Sequence, residues 1–543
     1  MTEPKTIRKA LVGERFHVVV IGGGINGVAI ARECARAGRR TLLVEQHDFA
    51  AGTTSRSTRM IHGGLRYLEH GDIAQVRESL RERERLLRDS PNLVRPMDFL
   101  LALNEKSRRS ALSVRAGLWL YRRMGAGRNQ IPRAEDHEKF ERLLDSGRRW
   151  SLFSFQDAQC EFPERLVAEW LTEAMVAGAE VRNHSQVLQV QLRQGRVQGV
   201  RLRDRLTGKE EQVGAAWVIN ATGPWVDTFC QAAGIAHSRS LIGGVRGSHI
   251  VVPRFAGALE AAIYAEAVDG RPIFVIPWNN QTLVGTTEVP DSGDPDRVEP
   301  TPQEINYLLD SVSSLFPRLK VGRQDIHYAF AGVRPLPFTP DAAPSAITRR
   351  HSLYDHTADG AAQMISIVGG KLTTAAQVAR ECVAKIGATP SNTPVVALAS
   401  DASASTLLEE WVRKLSADSG IGEGTVRSIV EWHGKHSPAI TSAASARPEL
   451  RAPLCPHTEH IAAEAVHAFS NECAITLADV LLRRVPVALA SCWSDSCSHH
   501  AGACIAAAMG WSERRSAEEL EAFKAERSSF LRKPDAQSAS SAQ

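Results

Sequence analysis

The amino-acid sequence predicts an α/β fold followed by an α-helical domain, and three features of the chain support this. First, the β-branched run 17–21 is too short for a helix, and after three glycines the helical spacing of 25–37 follows. Second, the chain returns to strand-and-turn patterns at 217–223 and 364–370. Third, from about residue 400 the apolar residues recur at helical spacing. Strands that alternate with helices are typical of a parallel sheet covered by helices.

The turn between the first predicted strand and helix carries the pattern G-x-G-x-x-G at Gly22, Gly24 and Gly27. The first glycine permits a tight turn, the second lets a pyrophosphate approach the backbone, and the third lets the helix pack on the strand. The helix N-terminus then presents free N–H groups to the phosphates. A second strand, 41–44, ends at Glu45, whose carboxylate can bind both ribose hydroxyls and would repel a 2′-phosphate. These residues predict a Rossmann-like domain for an adenine dinucleotide of the NAD or FAD kind, not NADP.

The polar loop 52–71 favours FAD over NAD. It is rich in hydroxyl groups and closes on His62-Gly63-Gly64, so it could wrap a long cofactor whose ring lies against bare backbone. A nicotinamide-binding domain would normally continue to another strand. Near residue 370, a glycine pair precedes a predicted helix whose positive end could stabilise negative charge on a reduced flavin ring. We therefore expect a flavin cofactor.

The composition of the chain argues against several classes of function. A net charge of +4 and an aromatic content of 6% argue against a nucleic-acid-binding protein. Residues 1–16 are polar, so we expect no signal peptide. The chain contains no run of about 18 apolar residues, so we also expect no spanning helix. These observations favour a cytoplasmic enzyme.

The nine cysteines are scattered without C-x-x-C spacing, so we expect reduced thiols and neither a disulfide framework nor an iron–sulfur site. The segments "CPHTEH" and "CWSDSCSHH" do bring thiols and imidazoles into one region of the chain. The residues concerned are Cys455, His457, His460, Cys492, Cys497, His499 and His500. Because their spacings match no zinc pattern, we expect no metal site.

Nine short motifs give the chain a family resemblance. In chain order they are "VVVIGGGINGVAIA", "IHGGLRYLEHG", "NATGPWV", "GSHIVVPR", "FVIPWNNQTLVGTTEV", "EINYLL", "AGVRPL", "AITR" and "GGKLTT". Together they span about residues 16–390 and resemble the aerobic, FAD-dependent glycerol-3-phosphate dehydrogenases of the D-amino-acid-oxidase-like flavoprotein superfamily. The resemblance implies FAD as cofactor, oxidation of sn-glycerol 3-phosphate to dihydroxyacetone phosphate, and membrane quinone as electron acceptor.

The resemblance also assigns roles to individual residues. Arg334 and Arg349 would bind the substrate phosphate, since guanidinium groups donate bidentate, charge-assisted hydrogen bonds. The remaining substrate-binding residues would be Arg66, Tyr67, Lys371 and Thr374. The cofactor would contact Gly22, Gly24, Gly27, Glu45, Gln46, Thr54, Ser55, His62, Gly63, Gly64, Leu65, Val187, Ala221, Thr222, Gly223, Gly370, Lys371, Leu372 and Thr373.

Oxidation of a secondary alcohol requires removal of the hydroxyl proton, and a histidine that titrates near neutral pH is a natural base. His249 starts a predicted strand and can point from the strand end into the cleft. His62 is the alternative, although its place beside the glycine pair suggests a flavin contact. Arg334 could also assist the alkoxide electrostatically. His249 and Arg334 are therefore the catalytic candidates, and the identity of the base stays open.

The positions of the motifs predict a discontinuous two-domain core. The predicted units are an FAD-binding domain (1–95, 150–235 and 330–395), a β-rich substrate-binding cap (96–149 and 236–329), a C-terminal helical domain (396–525) and a disordered tail (526–543).

Residues 105–133 predict the membrane contact that electron transfer to quinone requires. Eight Lys or Arg residues against one Glu surround the apolar stretch "GLWLY". We expect Trp119 and Tyr121 at headgroup depth, with Arg115, Arg122 and Arg123 near anionic lipid at the inner face of the cytoplasmic membrane. An amphipathic helix docked on its own domain is the alternative.

Two other functions stay open from the sequence. One is a soluble FAD-dependent oxidase of the same fold that uses oxygen, acting on glycerol 3-phosphate, an amine or an amino acid. The other is a flavin-bearing RNA-modifying or scaffold protein. Phosphate-directed arginines argue against an amine substrate, and the weak net charge argues against RNA. Whether the chain forms a homodimer is also left open.

Overall fold

The computed structural model describes residues 10–125, 134–235, 237, 239–255, 259–391 and 404–534. Its strands are β1 (Arg15–Ile21), β2 (Thr41–Val44), β3 (Met60–Ile61), β4 (Val94–Asn104), β5 (Trp150–Cys160), β6 (Glu180–Arg182), β7 (Ser185–Arg193), β8 (Arg196–Asp204), β9 (Glu210–Asn220), β10 (Ile242–Pro253), β11 (Ala262–Glu266), β12 (Pro272–Trp278), β13 (Gln281–Gly285), β14 (Val289–Pro290), β15 (Tyr328–Pro337), β16 (Ser352–Asp355) and β17 (Met364–Val368). Its α-helices are α1 (Ile25–Arg36), α2 (Ile73–Asp89), α3 (Ala111–Met124), α4 (Ala134–Leu143), α5 (Pro163–Val176), α6 (Val226–Ala232), α7 (Pro302–Leu315), α8 (Ala375–Lys385), α9 (Ala404–Ser419), α10 (Glu423–His433), α11 (Ser437–Ala446), α12 (Ala462–Asn471), α13 (Leu477–Asp479), α14 (Asp495–Met509) and α15 (Glu513–Phe530).

The first sheet is centred on β1 and follows the order β16-β17-β9-β1-β2-β6, with β8 paired to β9 and β7 paired to β8. β1 pairs in parallel with both β2 and β9, which confirms the predicted strands at 17–21, 41–44 and 217–220. Parallel strands covered on both faces need apolar side chains throughout. Accordingly, Val18, Val19 and Val20 are almost completely buried.

Helix α1 leaves the glycine turn and packs against α5 and α8. Its buried positions include Ala29, Ala31 and Cys34, small side chains that let the neighbouring helices approach closely. Helix α8 follows the second glycine turn in the same way, after β17. The predicted order of strand, glycine turn and helix is therefore confirmed at both places.

The second sheet follows the order β14-β10-β13-β12-β11-β4-β5-β3, with β15 paired to β10. The strands predicted at 247–253, 273–278 and 282–289 all lie in this sheet. However, β3, β5 and β15 also belong to it, whereas their segments were predicted to be part of the FAD-binding domain. The physical reason is antiparallel pairing: β5 pairs with β4 along its whole length, and β15 pairs in the same way with β10.

The C-terminal domain is helical, and the predicted helices at 406–417 and 458–469 correspond to α9 and α12. The segment 474–493, predicted as helical, is instead broken. Helix α13 gives way to a π-helical turn at Val480–Arg484 and then to a 3₁₀ turn at Val487–Leu489. Pro486 separates these turns, since proline has no N–H to continue a helix.

The prediction of a disordered tail was wrong for residues 526–534. Helix α15 continues to Phe530, whose ring lies 6.0 Å from that of Phe330. Beyond it, the backbone of Arg532 pairs with that of Ala329 in β15, with N···O distances of 2.7 and 3.0 Å. An aromatic side chain and two backbone hydrogen bonds thus fix the end of α15 on the second sheet. Residues 535–543 lie outside the described residues.

Helix α3 covers about half of the predicted membrane segment, of which 126–133 lie outside the described residues. Leu112 and Trp119 are 76% and 67% exposed, and Arg115, Arg122 and Arg123 are exposed beside them. Within the described ranges, no helix is both long and apolar enough to cross a bilayer.

Tyr121 does not lie where it was predicted, at headgroup depth. It is buried, and its hydroxyl donates a hydrogen bond to the carboxylate of Asp157 at 2.8 Å. The same hydroxyl accepts a hydrogen bond from the N–H of Gly63 at 2.8 Å. One face of α3 is therefore docked on its own domain, against the loop that carries His62.

Candidate active site

The glycine turn after β1 leaves no room for side chains. Gly22 has a φ of +103°, and a Cβ on it would lie 2.6 Å from the carbonyl oxygen of Ala221. A Cβ on Gly27 would lie 1.8 Å from the carbonyl oxygen of Gly22. The hydroxyl of Thr54 accepts a hydrogen bond from the N–H of Ile25 at 3.1 Å, at the start of α1. The turn thus brings bare backbone and a helix N-terminus together, as an anion-binding turn requires.

Glu45 lies at the end of β2, beside this turn. One carboxylate oxygen accepts a hydrogen bond from the N–H of Gly23 at 2.6 Å, and the other accepts one from the N–H of His47 at 2.8 Å. Burial raises the pKa of the carboxyl group, and these two hydrogen bonds oppose that shift. The backbone therefore fixes the orientation of the carboxylate at the cavity wall.

The turn and Glu45 border a cavity of about 1110 Å³. Most of the predicted cofactor residues line it, namely Gly22, Gly24, Glu45, Gln46, Thr54, Ser55, His62, Val187, Ala221, Thr222, Gly223, Gly370, Lys371, Leu372 and Thr373. Ligand pockets usually measure about 300–1,000 Å³, so this cavity has room for a dinucleotide. The bare turn, the helix N-terminus and the fixed carboxylate fit the pyrophosphate and ribose of FAD.

Five predicted residues are not among the described residues that line the cavity: Gly27, Gly63, Gly64, Leu65 and Thr374. Gly27 acts through packing, because it lets α1 approach the turn. The N–H of Gly63 is bonded to Tyr121, and Thr374 is buried beside α8. The side chain of Arg66, a predicted substrate ligand, lies outside what the structure describes.

Lys371 and Tyr67 line the cavity together. The Lys371 Nζ donates a hydrogen bond to the hydroxyl of Ser79 at 2.9 Å and lies 4.4 Å from the centre of the Tyr67 ring. Burial, assisted by the charge of Arg349, lowers the pKa of Lys371 to about 7. The lysine is therefore a cation that the protein alone stabilises poorly.

Two predicted phosphate ligands, Arg334 and Arg349, line the same cavity. The guanidinium of Arg334 donates to the hydroxyl of Thr286 at 2.8 Å and to the carbonyl of Thr287 at 3.2 Å. Arg349 forms an ion pair with Glu288 at an N···O distance of 2.5 Å. These contacts hold both planar groups in defined orientations, which bidentate recognition of a phosphate requires.

His249 is buried on β10, stacked on Phe330 at a ring-centre distance of 4.9 Å. Its Nε2 lies 2.9 Å from the hydroxyl oxygen of Thr58, while its Nδ1 is buried without a hydrogen-bond partner among the described residues. Burial and the nearby charges of Arg334 and Arg59 lower the pKa of His249 to about 3. The sequence suggested a histidine that titrates near neutral pH, but the imidazole is neutral there.

The imidazole of His62 is also neutral near pH 7. Burial and the charges of Lys371, Arg349 and Arg83 lower its pKa to about 3. Two neutral imidazoles thus line a cavity that also carries Lys371 and several arginines, among them Arg334 and Arg349. Burial is the main cause of both shifts, and the neighbouring positive charges add to it. These cations suit the cavity to a substrate with negative charge.

Several residues of the site were not predicted from the sequence. Thr58 belongs to the hydroxyl-rich loop, which was noted only as a wrap for the cofactor, and Ser79 lies on α2, which carried no signal. Phe530 and Arg56 also line the cavity, with the guanidinium 5.3 Å from the ring centre. Phe530 is far from the glycine turn in the chain and lies in the segment predicted to be disordered, so no sequence signal pointed to it.

The first sheet carries a dinucleotide turn, the second sheet supplies His249 and Arg334, and both sheets border one cavity. These features define a flavoprotein oxidoreductase. Comparison with protein families agrees with this class. Residues 17–376 match the FAD-dependent oxidoreductase family, and residues 365–516 match a family described as the C-terminal domain of alpha-glycerophosphate oxidase.

The relatives narrow the class further. The chain is 38% identical over 502 residues to a glycerol-3-phosphate dehydrogenase of Synechocystis sp., covering 87% of this chain and 89% of that protein. It is 36% identical over 379 residues to the aerobic glycerol-3-phosphate dehydrogenase of Escherichia coli, covering 69% and 74%. The crystal structure of a glycerol-3-phosphate dehydrogenase from Bacillus halodurans complexed with FAD has the same fold, with a TM-score of 0.74, 24% identity and 96% coverage of both chains. The chain therefore belongs to the family of FAD-dependent glycerol-3-phosphate dehydrogenases.

Proposed function

We propose that this enzyme oxidises sn-glycerol 3-phosphate to dihydroxyacetone phosphate and passes the electrons to a membrane quinone. The observation that carries the proposal is the cationic group formed by Arg334, Arg349 and Lys371, which lies beside two neutral histidines in a dinucleotide cavity. The names of the relatives support the same substrate.

Arg349 and Lys371 would bind the phosphate. The Arg349 guanidinium is already oriented by Glu288 through one of its nitrogens, which leaves donors for the substrate. A phosphate dianion near Lys371 would favour the protonated amine, because an opposite charge raises the pKa of a cation. Substrate binding would therefore take up a proton when the amine is neutral.

His249 would accept the hydroxyl proton at C2 of the substrate. His249 lines the cavity, and Thr58 contacts its Nε2. When Nε2–H donates to the Thr58 hydroxyl, Nδ1 is the ring nitrogen that accepts a proton. Arg334 would stabilise the negative charge that develops on the substrate oxygen. FAD supplies the acceptor for the hydride that leaves C2 of the substrate.

Helix α3 would attach the enzyme to an anionic membrane. Leu112 and Trp119 on its exposed face suit the interface, and the adjacent arginines suit anionic headgroups. The opposite face contacts the loop at Gly63, next to His62 in the cavity wall. This arrangement supports a short path between the membrane surface and the flavin end of the cavity.

Anaerobic addition of substrate tests the dehydrogenase activity. Glycerol 3-phosphate should bleach the flavin absorbance, whereas glycerol at the same concentration should not. The reduced enzyme should then be reoxidised faster by a soluble ubiquinone analogue than by air. Faster reoxidation by oxygen would instead favour a glycerol-3-phosphate oxidase, and no bleaching would contradict the proposed substrate.

Arg349→Ala tests the phosphate site. Loss of a bidentate, charge-assisted contact should remove about 2–4 kcal/mol of binding, so kcat/KM for glycerol 3-phosphate should fall about 30- to 1,000-fold. Arg349→Lys should recover only part of this loss, since a point charge replaces a planar fork. Arg350→Ala, at the exposed neighbouring position, is the matched control. A variant that keeps the full preference for the phosphate ester over glycerol would exclude Arg349 as a phosphate ligand.

A further inference from the structure

We propose that Cys455, His457 and Cys497 bind a zinc ion in the C-terminal domain, with Cys492 as the fourth ligand. One ligand atom from each of the first three residues lies within 4.8 Å of the other two. These residues take no part in the cavity described above. The proposal replaces the expectation, based on spacing, that this region holds no metal.

The distances from the Sγ of Cys455 to the other three ligand atoms match a tetrahedral thiolate site. The Sγ of Cys455 lies 3.7 Å from the Sγ of Cys497, 3.8 Å from the Sγ of Cys492 and 3.7 Å from the Nδ1 of His457. Zinc–sulfur bonds of about 2.3 Å in a tetrahedron place neighbouring sulfur atoms about 3.8 Å apart. Soft thiolates with an imidazole favour Zn²⁺ over Mg²⁺ or Ca²⁺, which prefer oxygen ligands.

The local backbone presents the first two ligands from one tight turn. The N–H of Thr458 bonds to the carbonyl of Cys455 at 3.1 Å, and the N–H of Leu454 bonds to the carbonyl of His460 at 2.8 Å. The loop is thus a closed knuckle that directs Cys455 and His457 to the same side. A C-x-H turn of this kind lacks the C-x-x-C spacing, so the sequence pattern did not indicate a metal site.

The other two ligands lie in the first turn of α14 and in the segment just before it. Cys497 lies in the first turn of that helix, where the positive end of the helix favours a thiolate. The hydroxyl of Ser494 also donates a hydrogen bond to its Sγ at 3.3 Å. Cys492 lies just before the helix and is partly exposed. Zinc would displace protons from these thiols as it binds.

The proposed role is structural. Cys455 and Cys497 are buried in the same apolar cluster, whereas His457 is at the solvent edge, where an ion can enter. With four protein ligands there is no open position for a substrate, as in structural zinc sites. The ion would cross-link the knuckle to α14, two segments that are 37 residues apart at Cys455 and Cys492.

Metal analysis of the full-length flavoprotein tests the proposal. The chain should be purified without a polyhistidine tag, dialysed against metal-free buffer and analysed by inductively coupled plasma mass spectrometry. We expect about one equivalent of zinc per chain. Cys455→Ser and Cys497→Ser should lose most of it, whereas Cys504→Ser, a nearby cysteine outside the ligand set, should retain it. Wild-type protein without zinc, or equal zinc in all variants, would overturn the proposal.

Two measurements on the wild-type chain keep the test decisive if the variants do not fold. Replacement of zinc by Co²⁺ should give intense d–d bands at the red end of the visible spectrum, beyond the flavin bands, as tetrahedral thiolate sites do. A strong chelator should make Cys455 and Cys497 more reactive to alkylation, with Cys504 unchanged. A disulfide between Cys455 and Cys497 in the protein as purified, before any chelator is added, would refute the zinc site and indicate a redox pair instead.

Discussion

The charge of Lys371 depends on what the cavity contains. Burial is the main reason that its pKa falls to about 7, and the hydroxyl of Ser79 and the ring of Tyr67 are its contacts at Nζ. Neither contact carries a full negative charge. The free enzyme therefore holds this amine partly neutral at neutral pH, and an anionic ligand would restore its charge.

The pH dependence of kcat/KM follows from this pKa. The amine loses its proton as pH rises through about 7. The substrate phosphate becomes a dianion above its second pKa of about 6. Accordingly, kcat/KM for glycerol 3-phosphate should be highest between these values and fall above them, since kcat/KM reports groups of the free enzyme.

Lys371→Gln is the control for this profile, because it removes the titrating group and keeps a hydrogen-bond donor. The variant should have a lower kcat/KM that no longer falls as pH passes through 7. Steady-state kinetics across pH 6–9 measure both profiles. A fall that persists with the same midpoint in Lys371→Gln would mean that another group titrates.

His249 is expected to affect chemistry more than binding. Because burial and neighbouring cations keep its imidazole neutral, it is available as a proton acceptor over the whole physiological range. In His249→Asn, flavin reduction at saturating glycerol 3-phosphate should slow by about 10²- to 10⁴-fold, the usual contribution of a general base. Stopped-flow absorbance measures this rate directly.

Thr58→Val provides a graded comparison for the same step. It removes the hydroxyl that contacts Nε2 but leaves the imidazole in place, so it should slow reduction less than His249→Asn does. A reduction rate unchanged in His249→Asn, with normal flavin absorbance, would show that the base lies elsewhere, and His62 would be the next candidate.

At the scale of elements, local patterns predicted β1, α1 and β2 because their signals lie within about thirty consecutive residues. Glycine positions, helical spacing and a carboxylate at a strand end are local features that tertiary contacts seldom override. By contrast, the sheet to which β5 and β15 belong is decided by long-range antiparallel pairing, which periodicity does not encode.

Some residues of the site were not predicted for the same reason, because they come together through long-range contacts. Phe530 enters the cavity wall from the last described helix, and Cys455 in a loop meets Cys497 in α14 although the two are far apart in the chain. Sequence spacing says nothing about such encounters, whereas His249 and Arg334 were found because family motifs carry them. The predicted position of Tyr121 was wrong because an aromatic residue in a basic segment is typical of a membrane interface. Its hydroxyl instead forms hydrogen bonds with Asp157 and Gly63.

Helix α3 yields a prediction at this scale. Replacement of both Leu112 and Trp119 by Ser should weaken sedimentation with liposomes that contain anionic lipid. Each exposed apolar side chain removed should cost about 1.5 kcal/mol or more, roughly tenfold in partitioning. Binding of the wild-type chain should also weaken as salt concentration rises, since the arginines on the same face contribute through screened charge.

Val176→Ser is the matched control, because Val176 is an 89% exposed aliphatic residue on α5, away from α3. It should leave liposome binding unchanged. If the Leu112 and Trp119 substitutions behave like this control, the membrane contact is not on α3, and the helix is only docked on its own domain.

At the scale of the whole molecule, buried charges join the C-terminal domain to the flavin domain. Asp48, which lines the cavity, accepts hydrogen bonds from Arg483 at 2.5 Å and from Arg484 at 2.7 and 2.8 Å. Arg165 on α5 similarly pairs with Glu472 at 2.8 Å, and both side chains are 0% exposed. Such pairs are costly to break, because each partner would be left charged and without solvent.

Removing Asp48 should therefore loosen the junction and the cofactor site together. In Asp48→Ala, Arg484 loses its buried counter-charge, whereas Arg483 keeps its ion pairs with Asp479 and Glu526. Removing one partner of a buried pair costs about 3–5 kcal/mol. The unfolding temperature should fall clearly, and the variant should release flavin faster on dilution, because Asp48 is part of the cavity wall. Asp48→Asn keeps one acceptor oxygen, so its unfolding temperature should lie between those of the wild type and Asp48→Ala.

Glu518→Ala serves as the control, since its ion pair with Arg514 is exposed and such pairs contribute about 0–1 kcal/mol. If Asp48→Ala unfolds at the same temperature as this control and retains flavin equally well, the buried charges at Asp48 do not couple the two domains, and the junction is held by its other contacts, such as the Arg165–Glu472 pair.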